Sequence, residues 1–142
     1  MKHKKVVVLF LLLVCAMIFV SVINAPEKRT LRYFNNHRET LENDVLNFIE
    51  TGRVGRELNI TVDYWNGEHP IIEYVVVSSG IVSASKYYGI FYSFDDKPVS
   101  FQNTDEPLMS ISEQEWDWNG EGDNHGIVRR LDTNWFYFEA AL

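Results

Sequence analysis

Strict alternation of apolar and polar positions governs the stretch from Glu57 to Tyr64. Leu58, Ile60, Val62 and Tyr64 face one way, and Glu57, Asn59, Thr61 and Asp63 the other. A period of two over this length predicts a strand with one buried face. Upstream the period is helical: Leu41, Val45, Phe48 and Ile49 recur on one side, with Glu42, Asn43, Asn47 and Glu50 opposite. Asn36 followed by Glu39 has capping-box spacing and Gly52 offers a left-handed stop, so a helix is predicted between them.

Downstream, Asn66-Gly67 signals a tight turn, and the apolar run Ile71 to Ser79 returns as a second strand. Lys86 to Phe94 reads as a third strand, Asp95 to Pro98 as a turn, and Val99 to Gln102 as a short fourth strand. The stretch from Asn103 to Ser110, with Pro107 inside it, reads as a loop. Glu113 to Trp118 and Ile127 to Leu131 flank the polar loop 119–126, and Asp132-Thr133-Asn134 turns the chain into Trp135 to Ala141. That last strand is aromatic on both faces, which predicts a central place. The order predicts an α+β domain: one amphipathic helix packed on a curved antiparallel sheet of about six to seven strands. Cystatin-like folds share this order, an architectural analogy that carries no function.

Ahead of the domain, Val6 to Ile23 is apolar apart from Ser21 and follows Lys2, His3, Lys4 and Lys5. A run of this length spans the roughly 30 Å hydrocarbon layer as a helix, so residues 1–25 are predicted to be a signal anchor. The same features describe a secretory signal, which would release the domain after Ala25. That cut would place Ile23 where a small residue is preferred and Pro26 just beyond the bond, so the anchor is the preferred reading. Lys2, Lys4 and Lys5 nearly balance Lys28, Arg29 and Arg32 across the run. The likeness to a secretion signal places the C-terminal part outside the cytoplasm. Residues 26–35, polar and basic, read as a juxtamembrane linker, and 36–142 as one extracytoplasmic domain.

From Pro26 onward ten Lys or Arg face twenty Asp or Glu, a formal charge of −10. Such a field repels nucleic acid and anionic lipid. The sole cysteine, Cys15, lies in the leader. The domain therefore has neither disulfides nor a thiolate metal site, and rests on its apolar core.

Candidate chemistry concentrates between Trp116 and Gly126. Asp117, Asn119 and Glu121 before Gly122 imitate the first half of a calcium loop, where oxygen ligands alternate and a glycine makes the bend. Val128 occupies the place of the closing bidentate Glu, so Asp123 would have to complete the set. His125 with Asp123 or Glu121 would serve a small hydrolase if they converged in a cleft, and His69 could join His125 on a metal. Trp65, Trp116 and Trp118, if exposed in line, would stack on wall glycans. Ser83-Ala84-Ser85-Lys86 matches a serine acyl-enzyme pattern without its companion motifs, and Asn59-Ile60-Thr61 fits a glycosylation sequon set within a strand.

The segments Tyr88-Gly89-Ile90-Phe91-Tyr92-Ser93, Pro98 to Gln102, Glu121-Gly122-Asp123-Asn124-His125-Gly126 and Trp135-Phe136-Tyr137-Phe138-Glu139-Ala140 resemble short signal-anchored proteins of Gram-positive bacteria. The resemblance covers Tyr87 to Leu142. That group has no assigned activity, so it supplies no site residue. With no nucleophile beside a base and no phosphate loop in the sequence, the expectation is a membrane-tethered, non-enzymatic domain that binds a protein partner. Its contact is expected at the acidic loop and at Trp65, Trp116, Trp118 and His125.

Overall fold

The computed structural model describes residues 24–55, 60–81 and 84–142. The expected anchor, the start of the first expected strand, Asn59 of the sequon and Ser83 lie outside the described residues. Among the described residues no helix is long and apolar enough to cross a membrane.

Among the described residues two helices come first. Residues 26–35, expected as a linker that could be helical in part, are helical throughout: α1 spans Pro26–Asn36 and α2 spans Arg38–Thr51. Pro26 occupies the first turn, where its missing N–H costs nothing, and Glu27 sits beside it at the positive end of the helix. Thr30, Leu31 and Phe34 form too short an apolar stripe to stand out from the basic residues around them. His37 separates the helices. Its backbone N–H donates to the Tyr33 carbonyl at 3.0 Å, and its ring stacks on Tyr33. The residue before α2 is thus His37, without a side-chain cap, and not Asn36. Gly52 ends α2 as expected, at φ 69°. Ile49, expected on the inner face, is exposed, and the buried stripe runs through Leu41, Asp44 and Val45.

Seven antiparallel strands form one sheet: β1 (Thr61–Trp65), β2 (Ile71–Ile81), β3 (Ala84–Ser93), β4 (Met109–Ser112), β5 (Glu115–Asn119), β6 (His125–Asp132) and β7 (Trp135–Ala141). Their spatial order is β1-β2-β3-β7-β6-β5-β4, so the aromatic last strand is central. Two expectations fail between β3 and β5. Val99–Gln102 is not a strand, because Phe101–Asn103 turns as a 3₁₀ segment whose polar groups bind β2 and its turn. Met109–Ser112, not expected as a strand, pairs with β5 as the sheet's outer edge.

Both faces of the sheet carry core. On one, Ile72, Tyr74, Ile90 and Trp135 pack against Phe34, Leu41 and Val45 of the helices. On the other, Ile71, Phe91, Phe136, Phe138 and Val128 are covered by Val99 and Phe101. The strap between β3 and β4 thus does on one face what the helices do on the other. A buried polar link helps tie the helix layer down: the Tyr74 hydroxyl donates to Asp44 Oδ2 at 2.9 Å, both residues being buried. Burial, with the Asp44 charge beside it, holds the Tyr74 hydroxyl well above its ordinary pKa. Tyr74→Phe leaves a buried carboxylate without this donor, so a loss of about 1–3 kcal/mol is expected in urea denaturation.

Candidate functional site

The tryptophans do not form a platform. Trp118 is only 3% exposed and lies over Gly126 of β6, its indole N–H buried without a partner. Trp116 is half-buried against the same core, 6.3 Å from the Phe136 ring. Trp65, on β1 at the opposite edge of the sheet, is half-buried against that core as well. Alternation puts Trp116 and Trp118 on the strap face, and the small domain spends them on packing.

The expected calcium loop is a hairpin turn. Asp117 and Asn119 belong to β5, where extension sets them in line, while Glu121 and Asp123 stand on the turn. The Gly120 N–H donates to Asn124 O at 2.8 Å, and Gly122 takes φ 69°. Among the described residues no three His, Cys, Asp or Glu side chains group as metal ligands. Thermal melting with and without millimolar calcium tests the loop directly, because a cation bound only by the folded state would raise the melting temperature.

The histidines are separated. His125 begins β6 opposite Ala141, whereas His69 precedes Ile71, which pairs with Ser93 at the other end of the sheet. His125 Nδ1 lies 2.7 Å from the Asp123 carbonyl, not its carboxylate. His69 Nδ1 lies 2.6 Å from Asp95 Oδ2, and His69, though not Asp95, lines a cavity of 280 Å³ together with Ser100, Thr104 and Glu106. Partial burial opposes the Asp95 charge, but the bonds from His69 and Ser93 hold the carboxyl below its ordinary range. The Ser93 hydroxyl donates to Asp95 and not to His69, so among the described residues no hydroxyl is hydrogen-bonded to the imidazole.

Sequence reasoning missed the most perturbed carboxyl group, Glu73, which is 1% exposed on the strap face of β2. Its carboxylate accepts the Gln102 backbone N–H at 2.9 Å. Burial pushes its pKa up to about 7. The Gln102 bond opposes the rise, Asp63 across the strand pair adds to it, and the nearby Trp65 indole lowers it slightly. A single charge inside Ile71-Ile72-Glu73-Tyr74-Val75 was the available signal, because a strand buried on both faces should carry none.

What remains open is half of the helix-side face. α1 packs on β2 and β3, and its Glu27 reaches β6 to pair with Arg129 at 2.7 Å, marking the edge of the covered area. Beyond that pair the same face presents Ile127 and Glu139, with Asp117 and Met109 in register on the next two strands and Glu115 one step along β5. Met109 is 53% exposed, and Ile111, next to it in an edge bulge, 57%. Chain pairing alone assembles this surface from residues 109 to 139.

No family model, curated protein or solved structure matches the chain.

Proposed function

We propose that the chain is a membrane-tethered extracytoplasmic domain that binds a protein partner and acts as an interaction module, not an enzyme. The observation that supports this best is the uncovered half of the sheet. Exposed Met109 and Ile111 stand there in the same part of the face as half-buried Ile127, with Asp117 between Met109 and Ile127, while the centre of the sheet is covered on both sides. A sheet face that buries apolar side chains at its centre and leaves two neighbouring ones open on this edge suits docking. The contact expected at the tryptophans moves accordingly to Met109, Ile111 and the acids around them. The glycan reading loses its platform with the burial of Trp118.

A photo-reactive residue at Met109 or Ile111, in intact cells of the source organism, is expected to give one discrete adduct with another protein. The same residue at Glu39, on the exposed side of α2, is expected to give none. Equal labelling at the two places, or no adduct at Met109 and Ile111, would overturn the proposal. Protease added to cells stripped of their wall is expected to remove the C-terminal part, and full protection of an unfolded destabilised variant would remove the extracytoplasmic reading.

A further inference from the structure

We propose that the open sheet face receives a basic amphipathic α-helix from the partner, its apolar stripe on Met109, Ile111 and Ile127 and its cations against Glu115, Asp117 and Glu139. This rests on the interaction reading above and names the partner's chemistry.

Dimensions come first. Neighbouring strands lie about 4.8 Å apart, so β6, β5 and β4 span about 10 Å, the width of one helix with its side chains. α1 already lies on the neighbouring part of the face, so a second helix would complete the layer that α1 begins. The Glu27–Arg129 pair stands where the two would meet.

Charge selects the occupant. Glu139 on β7 and Asp117 on β5 stand on either side of Ile127 in one cross-strand row, with Glu115 one step along β5. None of the three carboxylates forms an ion pair among the described residues. Lys86 and His125 line one small cavity with Ile127 and Glu139 at the β7 end of the patch, and Arg129 is engaged by Glu27, so what a partner meets towards β5 and β4 is a row in which acids alternate with apolar side chains, Asp117 standing between Ile127 and Met109. A Leu- or Ile-bearing helix with Lys or Arg beside its stripe matches both features. An added strand fits less well, since the bulge between Ser110 and Ser112 and the Ser110 hydroxyl donating to Ser112 O disturb the free edge.

The test uses the full chain in nanodiscs of neutral lipid. The probe is a fluorescent helical peptide of about 18 residues, five turns, with Leu on one face and Lys on the other. It is expected to bind the wild type, while its Leu/Glu counterpart does not. The combined variant E115Q, D117N and E139Q is expected to bind at least about tenfold more weakly. Removing three acids elsewhere, with E39Q, E50Q and D105N, is expected to change affinity less than about twofold. Met109→Ser with Ile111→Ser, both at exposed positions, is expected to weaken binding without lowering thermal stability. Equal loss in both acid variants, no binding of the Leu/Lys peptide, or indifference to the two Ser changes would overturn the proposal. So would a photo-cross-link from Met109 to residues 1–23 of the same chain, which would make the leader the occupant. If adducts form in cells at Met109 while the peptide tests fail, the module reading stands and the basic helix falls.

Discussion

Raising the pH from about 5 to 8 is expected to cost the fold about 2–3 kcal/mol through Glu73 alone, and Glu73→Gln to abolish that loss. The sign follows from linkage. Glu73 titrates near 7 in the folded chain against 4.5 for an ordinary Glu. Between these values the unfolded chain has released the proton and the folded chain keeps it. The unfolded state therefore binds fewer protons, and stability falls as pH rises, by about 1.4 kcal/mol per unit of difference. The contribution is fully present below about 4.5 and gone above about 7. Asp95 and Asp96 do not blur the window. The His69 and Ser93 bonds hold the first below its ordinary range, and the Asn134 amide with Arg130 holds the second. Both therefore act only in stronger acid.

Glutamine keeps an oxygen for the Gln102 N–H and carries no charge. At pH 8 Glu73→Gln is expected to be more stable than wild type by about 2–3 kcal/mol, and at pH 5 nearly equal to it. Urea denaturation at both values measures this, and an unchanged pH slope in the variant would show that Glu73 is not the group responsible. Hydrogen exchange at Gln102 and Asn103 is expected to follow the same titration, because both hold positive φ, 57° and 51°, under the pull of the Glu73 and His69 contacts.

Periodicity revealed the sheet and not its cover. β2, β3 and β7 were legible because alternation and aromatic density are properties of a few neighbouring residues. α1 was not, since its inner stripe is three residues among Lys28, Arg29 and Arg32, and helix formation there depends on β2 and β3 beneath it. The strap was misread for a related reason. Val99 and Phe101 are spaced like a strand, but Pro98 opens the segment and Glu73, 29 residues earlier, claims the Gln102 amide. The site suffered most. A loop rich in Asp, Asn and Gly has the composition of a metal loop and of a hairpin turn alike, and only geometry separates them. The open face could not be read at all, because it is made by register: Met109, Asp117, Ile127 and Glu139 are 30 residues apart in sequence and one row in the sheet.

Gly89→Ala is expected to destabilise the domain by about 2–4 kcal/mol, at the upper end of overpacking costs, although alanine suits a strand better than glycine. The reason is space. Gly89 pairs with Phe138 across β3 and β7, and the Phe138 ring lies over the missing side chain. A Cβ there would meet two Phe138 ring carbons at 2.5 Å and, closer still, the Tyr74 carbonyl oxygen. The ring could turn aside only into a packed core shared with Phe101, and the carbonyl belongs to a backbone fixed by pairing on both sides. Phe138→Leu in the same chain is therefore expected to recover only part of the loss.

Gly52→Ala supplies the contrast. Nothing lies within 4 Å of a Cβ at Gly52, but its φ of 69° is left-handed, so about 1 kcal/mol of backbone strain is expected and Gly52→Asn should recover much of it. Two glycines with opposite reasons thus predict opposite rescues. Thermal melting of the four single and double variants decides between them. If Gly89→Ala proves neutral, the Phe138 ring does not occupy the β3 groove, and the packing of the central strand would have to be redrawn.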